Sequence, residues 1–125
     1  YISSHVAFTV AGHAALDAVA AHLDAVRPDA VVIGCFGDPG LDALAEMTGL
    51  PVIGFAEAGL RAAAALPGRF LIATRGALWR ELLADLALRL GLADRVAGTF
   101  AFESADAVIA VLVAHMDSLS LSTAA

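Results

Sequence analysis

Short β-branched runs alternate with helical stripes along this sequence, and that alternation restricts the fold more than any other feature. AVVIGC (30–35), PVIGF (51–55) and RFLIAT (69–74) are short, apolar and rich in Val and Ile, the pattern of buried strands. Around them the period changes to that of helices. In GHAALDAVAAHLDAVR (12–27), Leu16, Val19, Ala20, Leu23 and Val26 share one stripe, and Pro28 with Asp29 ends it. Asp38 and Pro39 read as the N-cap and first position of a helix over LDALAEMT, with Gly49 just past its end. AEAGLRAAAAL (56–66) is a helix closed by Pro67-Gly68, and ALWRELLADLALRLG (77–91) is another, striped by Leu78, Leu82, Leu86 and Leu90. ADAVI (105–109) reads as a fourth strand and AVLVAHMDSLSL as a last helix, while AGTFAFES (97–104) has no clear assignment. Strand and helix in alternation predict an α/β fold, a parallel sheet flanked by helices on both faces. Right-handed crossovers would join the strands and a ligand would sit at their carboxyl ends.

Composition fits such a sheet. Of 125 residues, 60% are hydrophobic, as strands buried on both faces require. The length suits a single α/β unit over 1–125. No uncharged apolar run approaches the ~18 residues of a membrane span, so no membrane partner is expected. Net charge is −6 and all seven basic residues are Arg, which argues against a nucleic-acid partner. The surplus of apolar residues predicts burial between subunits or domains, so a homo-oligomer is expected. One cysteine excludes an internal disulfide and a Cys-rich zinc site, and the spacing of His5, His13, His22 and His115 makes no metal site. No leader-like segment is visible, and cytoplasmic placement is the expectation. The sequence opens at Tyr1 without a strand and passes from ADAVI into a helical stretch with no turn at Ile109–Ala110. Both features read as segments missing from a longer protein.

The lone Cys35 stands in GCFGDPG (34–40), where the first strand hands over to a helix. Its glycines fall at 34, 37 and 40, which fits neither the dinucleotide fingerprint nor a P-loop. A thioredoxin-type pair needs a second Cys at Asp38, a phosphatase-type loop needs an Arg at Leu41, and a nucleophile elbow needs a small residue at Ile33. A thiol facing the amino end of the next helix should be favoured as thiolate; Asp38 opposes this by charge but is expected to be occupied in capping, and the glycines let backbone N–H groups approach an anion. Such a group could act as nucleophile or base. Cysteine hydrolysis, an inactive binding module with a packed thiol, and acid–base chemistry all stay open at this point.

The residues themselves carry a resemblance. VVIGCFGDPGLDALAEMTGLPVIGFAEAG is similar to the first-cysteine region of the aspartate/glutamate/hydantoin racemase superfamily, and CFGDPGLDA followed by PVIGFAEA is closest to its hydantoin racemase branch. RFLIATRGALWRELL resembles that branch's next strand and helix, and YISSHVAF the stretch before the first matched helix. The amino-acid racemases carry Cys-Asn-Thr where this chain has Cys35-Phe36-Gly37. The resemblance implies the Rossmann-like lobe of a two-lobed fold and a racemase without a cofactor, acting on hydantoins or amino-acid derivatives. Two cysteines would face each other across the substrate α-carbon, one thiolate taking a proton and one thiol giving one. Cys35 would be one of the pair. Backbone N–H groups of Phe36, Gly37 and Asp38 would hold substrate oxygens, Thr74 would line the site, and Glu57 lies in the matched GFAEA. Glu57 also reads as an ordinary helix first-turn carboxylate. The second cysteine, expected after ADAVI, is absent, as is the opening strand.

Overall fold

A computed structural model describes residues 2–102; the strand expected at 105–109 and the last helix lie outside the described residues. Helix α1 spans His5–Val26, seven residues longer at its start than the stripe suggested. Ser4 is the cause: its Oγ accepts the Ala7 N–H at 3.1 Å, satisfying a donor that no helical carbonyl reaches. The helix ends at Arg27, which is left-handed at φ 48°, before Pro28. Begun at His5, α1 becomes long and apolar enough to cross a membrane by length and composition alone, with Asp17 and Asp24 inside it.

The remaining elements alternate as the sequence predicts: β1 Val31–Ile33, α2 Leu41–Thr48, β2 Val52–Gly54, α3 Phe55–Ala64, β3 Phe70–Arg75 and α4 Ala77–Arg89. A 3₁₀ turn at Ala93–Arg95 leads into β4, Val96–Phe102, in the segment the sequence left unassigned. Arg95 fixes that arrival. Its guanidinium donates to the carbonyls of Ala64, Leu66 and Gly68, tying the end of α3 and the turn before β3 to the start of β4.

Both ladders are parallel, and among the described residues they form two separate pairs. Val31, Val32 and Ile33 pair with Val52, Ile53 and Gly54. Leu71 to Arg75 pair with Gly98 to Phe102, after a register shift next to Phe70. Along β3 exposure alternates strictly, with Ile72 and Thr74 buried and Leu71, Ala73 and Arg75 exposed. Val32 and Ile53 in the first pair, and Leu71 and Phe100 in the second, present large apolar side chains to solvent. Among the described residues each pair thus keeps one apolar face open.

The core sits between α3, β3 and α4. Ala56, Leu60, Ile72, Leu83, Leu86 and Ala87 form it, with Phe36, Trp79 and Val96 packed against its edge. Each buried Leu or Ile contributes about 1.5–3 kcal/mol relative to exposure. Helix α1 docks on α2 by a close backbone approach. A Cβ on Gly12 would lie 3.1 Å from the Gly40 nitrogen, so glycine at both positions lets the segments touch.

Candidate active site

Parallel pairing puts the carboxyl ends of β1 and β2 side by side, Ile33 opposite Gly54. The loop that leaves Ile33 carries Cys35, Phe36, Gly37 and Asp38; the helix that leaves Gly54 carries Glu57 in its first turn. These five candidates are thus gathered at one sheet end, where ligands of open α/β sheets bind. Thr74 lies at the carboxyl end of β3, in the other pair, and is buried. Among the described residues no hydrogen bond joins its hydroxyl to the Cys35 loop.

Asp38 differs most from its expected role. It is not the N-cap of α2; Gly40 is, in a left-handed conformation at φ 80° with no side-chain cap. Asp38 instead turns toward α3. Its Oδ1 accepts the Ala56 N–H at 2.8 Å and its Oδ2 the Glu57 N–H at 2.7 Å. Helix α3 starts directly from β2 at Gly54, which has no side chain to cap it. Asp38 supplies that cap from 18 residues away and balances its charge against the helix dipole. It is only 7% exposed and holds a positive φ of 55°, which Asp tolerates better than most residues. Gly54 makes room: a Cβ there would fall 2.3 Å from the Asp38 carboxylate.

The rest of the loop is equally constrained. The Asp38 N–H donates to the Cys35 carbonyl at 3.1 Å, so it is not free for a substrate. Gly37 has φ 120°, and a Cβ there would lie 2.3 Å from the Trp79 ring. Trp79 in turn meets Phe8 edge-to-face at 6.4 Å. Phe36 points into the core edge and packs edge-to-face on Phe55, with centroids 5.7 Å apart. No backbone hydrogen bond among the described residues uses the Phe36 or Gly37 N–H. Sequence reasoning missed Trp79 and Gly54. A glycine standing immediately before a helix with no capping residue was the available signal for Gly54.

Cys35 is a free, half-buried thiol. Burial pushes its pKa up, and the neighbouring Asp38 charge pushes it further the same way. The expected thiolate, favoured by a helix amino end, is therefore corrected to a neutral thiol. The amino end that meets this loop belongs to α3, and the Asp38 carboxylate already occupies it. Glu57 is partnered as well, its carboxylate accepting from Arg61 Nε at 2.7 Å. His5, His13 and His22 all lie on α1, exposed, and none is paired with Cys35. A cleft of about 470 Å³ opens beside Asp38 and Glu57, bordered by Phe8, Leu41, Arg89 and Leu90; Cys35 does not line it.

Comparisons with known proteins converge on one family. Hydantoin racemase from Paenarthrobacter aurescens is 43% identical over 70 residues, which is 56% of this chain and 30% of that protein. Hydantoin racemase from Pseudomonas sp. (strain NS671) is 43% identical over 68 residues, 54% of this chain and 27% of that protein. The matched part thus spans less than a third of those relatives' own length. The solved structure of allantoin racemase from Klebsiella pneumoniae superposes with a TM-score of 0.77 at 31% identity, covering 82% of this chain and 42% of that one. The family profile described as Asp/Glu/Hydantoin racemase matches residues 2–121. With the parallel α/β units and the cysteine loop at a strand end, this match shows that the chain belongs to the Asp/Glu/hydantoin racemase family.

Proposed function

We propose that this chain carries one acid–base thiol of a racemase that works without a cofactor on hydantoins or related amino-acid derivatives, moving a proton at the substrate α-carbon. The observation that carries this reading is the placement of Cys35: a free, half-buried thiol on a rigid glycine turn at the carboxyl end of a parallel strand. Its protonation suits one half of the reaction. A thiol held neutral by burial and by Asp38 is a proton donor at neutral pH. The substrate proton must then leave from the opposite face, to a second base, which in a two-cysteine mechanism is a thiolate that these 125 residues do not contain. After one turnover Cys35 is left as thiolate and its partner as thiol, and the reverse reaction restores them.

The Phe36 and Gly37 N–H groups are suited to hold a substrate oxygen and to stabilise the enolate-like charge that grows as the α-proton leaves. Thr74 would reach this site from β3 as a lining hydroxyl. Glu57 would act through its helix end rather than on substrate, given its bond to Arg61. The open apolar faces carrying Val32, Ile53, Leu71 and Phe100 suit burial against further protein, consistent with an oligomer or a larger lobed unit.

The test is loss of optical activity in one enantiomer of a 5-substituted hydantoin, followed by polarimetry with no added cofactor. The full-length protein should racemise it, and Cys35→Ser should reduce the rate by at least about a hundredfold. A Cys35→Ser variant with undiminished rate would remove Cys35 from the mechanism.

A further inference from the structure

We propose that Asp38 is the positioning residue of Cys35: its buried carboxylate clips the cysteine loop to the amino end of α3 and so fixes where the thiol stands. Both carboxylate oxygens are used, on two successive N–H groups of a helix that has no cap of its own. The clip is closed from below by the Asp38 N–H on the Cys35 carbonyl, which makes residues 35–38 one tight turn. Gly54 has no Cβ at the one point where a Cβ would expel the carboxylate. Four independent details, at Cys35, Asp38, Gly54 and the Ala56–Glu57 amides, therefore serve a single contact.

The clip acts on Cys35 in two ways. It sets the position of the thiol, because a loop anchored three residues away cannot drift relative to β1 and β2. It also holds a negative charge beside the sulfur, adding to the effect of burial in keeping the thiol protonated. The helix end stabilises Asp38 as a carboxylate, so the same helix that would otherwise favour a thiolate instead favours the charge that opposes one. Of the other charged groups near Asp38, Glu57 is paired with Arg61, and Asp42 with Arg89 at 4.0 Å across the neighbouring cleft. The inference rests on the racemase reading for what the thiol does, and on geometry alone for what Asp38 does to it.

Asp38→Asn in the full-length protein separates these roles. Asn keeps the size and one acceptor for the Ala56 N–H, but it loses the charge and points a donor at the Glu57 N–H. Two measurements are made: the pH profile of Cys35 alkylation by iodoacetamide, read by peptide mass, and hydantoin racemisation. The alkylation midpoint should move to lower pH, with alkylation near neutral pH faster by about threefold or more. Racemisation kcat should fall by about tenfold or more while KM changes little. A folded variant with a lower melting temperature but unchanged alkylation midpoint and kcat would reduce Asp38 to a purely structural cap and overturn the proposal. If the unmutated protein shows no racemisation yet the midpoint still shifts, the proposed function fails and the role of Asp38 stands. Should Asp38→Asn not fold, hydrogen exchange on the unmutated protein decides. The first-turn amides of Ala56 and Glu57 should exchange slowly, whereas first-turn amides without an acceptor exchange fast; rapid exchange of both would refute the clip.

Discussion

The turn after β1 and the turn after β3 solve the same problem in opposite ways. Each takes the chain from the carboxyl end of a parallel strand into a helix. After β3 a single residue suffices: Gly76, at φ 80° and ψ 158°, opens α4 with no side-chain cap. After β1 the chain spends Gly34 to Gly40, and the loop includes a buried carboxylate, two residues at positive φ before Gly40, and a thiol. The shorter turn needs only a conformation that glycine supplies. The longer one needs specific side chains, and its side-chain bonds are spent on α3, not on its own helix. A connection that uses far more structure than the geometry of crossing demands is where chemistry is to be sought.

The largest stability effect should come from the helices that follow these turns. Leu44 in α2 and Leu83 in α4 are both essentially inaccessible to solvent. Truncating either to Ala should cost about 2–5 kcal/mol in denaturant titrations. A loss below about 1 kcal/mol for Leu83→Ala would mean that the core around α4 can collapse to fill the gap.

Next come the glycines, which test the contrast directly. Gly37→Ala meets both an unfavourable φ and the Trp79 ring, whereas Gly76→Ala meets the unfavourable backbone region. Each should lose roughly 1–3 kcal/mol from backbone strain, with Gly37→Ala the costlier of the two. Gly34→Ala is the control, since a Cβ there meets nothing within 4 Å. Equal melting temperatures for Gly34→Ala and Gly37→Ala would show that the Trp79 contact does not constrain the loop.

The smallest effect is electrostatic. The Cys35 thiol titrates higher in the folded chain than its ordinary value, so the folded state favours the protonated form. That contribution is fully present below the unfolded-state pKa and is lost as pH rises through the folded-state one. Stability should therefore decline as pH climbs above about 8.5, and Cys35→Ser should flatten that part of the profile. An unchanged alkaline slope in Cys35→Ser would assign the decline to other groups.

Much of this architecture was legible in the sequence because it depends on local rules. Gly49 ends α2, Pro67-Gly68 follows α3, and the short Val- and Ile-rich runs are strands, each set by the backbone freedom or side-chain branching of a few neighbouring residues. The start of α1 was also local, at Ser4, but the apolar stripe begins later and drew the boundary inward. What escaped was tertiary. β4 is a strand because it pairs with β3 and is locked by Arg95, neither of which its composition announces. Asp38 followed by Pro39 has the composition of a helix start, and only the fold shows a different helix within reach. The thiol was misjudged for the same reason. The neighbouring carboxylate was expected to be taken up in capping α2, whereas it caps α3 and still bears on the sulfur. The gathering of Cys35 with Glu57 was readable from strand order, whereas the placement of Thr74 in the other strand pair was not.

Position 38 also has a consequence for which amino acids the protein can accept there. The left-handed backbone admits few residues beyond Gly, Asn and Asp. The two adjacent amide donors then reject Gly, which has nothing to offer them, and penalise Asn, which offers one acceptor where two are needed. Two filters of unrelated origin, one steric and one chemical, leave an alphabet of a single letter. A saturation library selected for folding alone should already be depleted at this codon, before any selection for catalysis is applied.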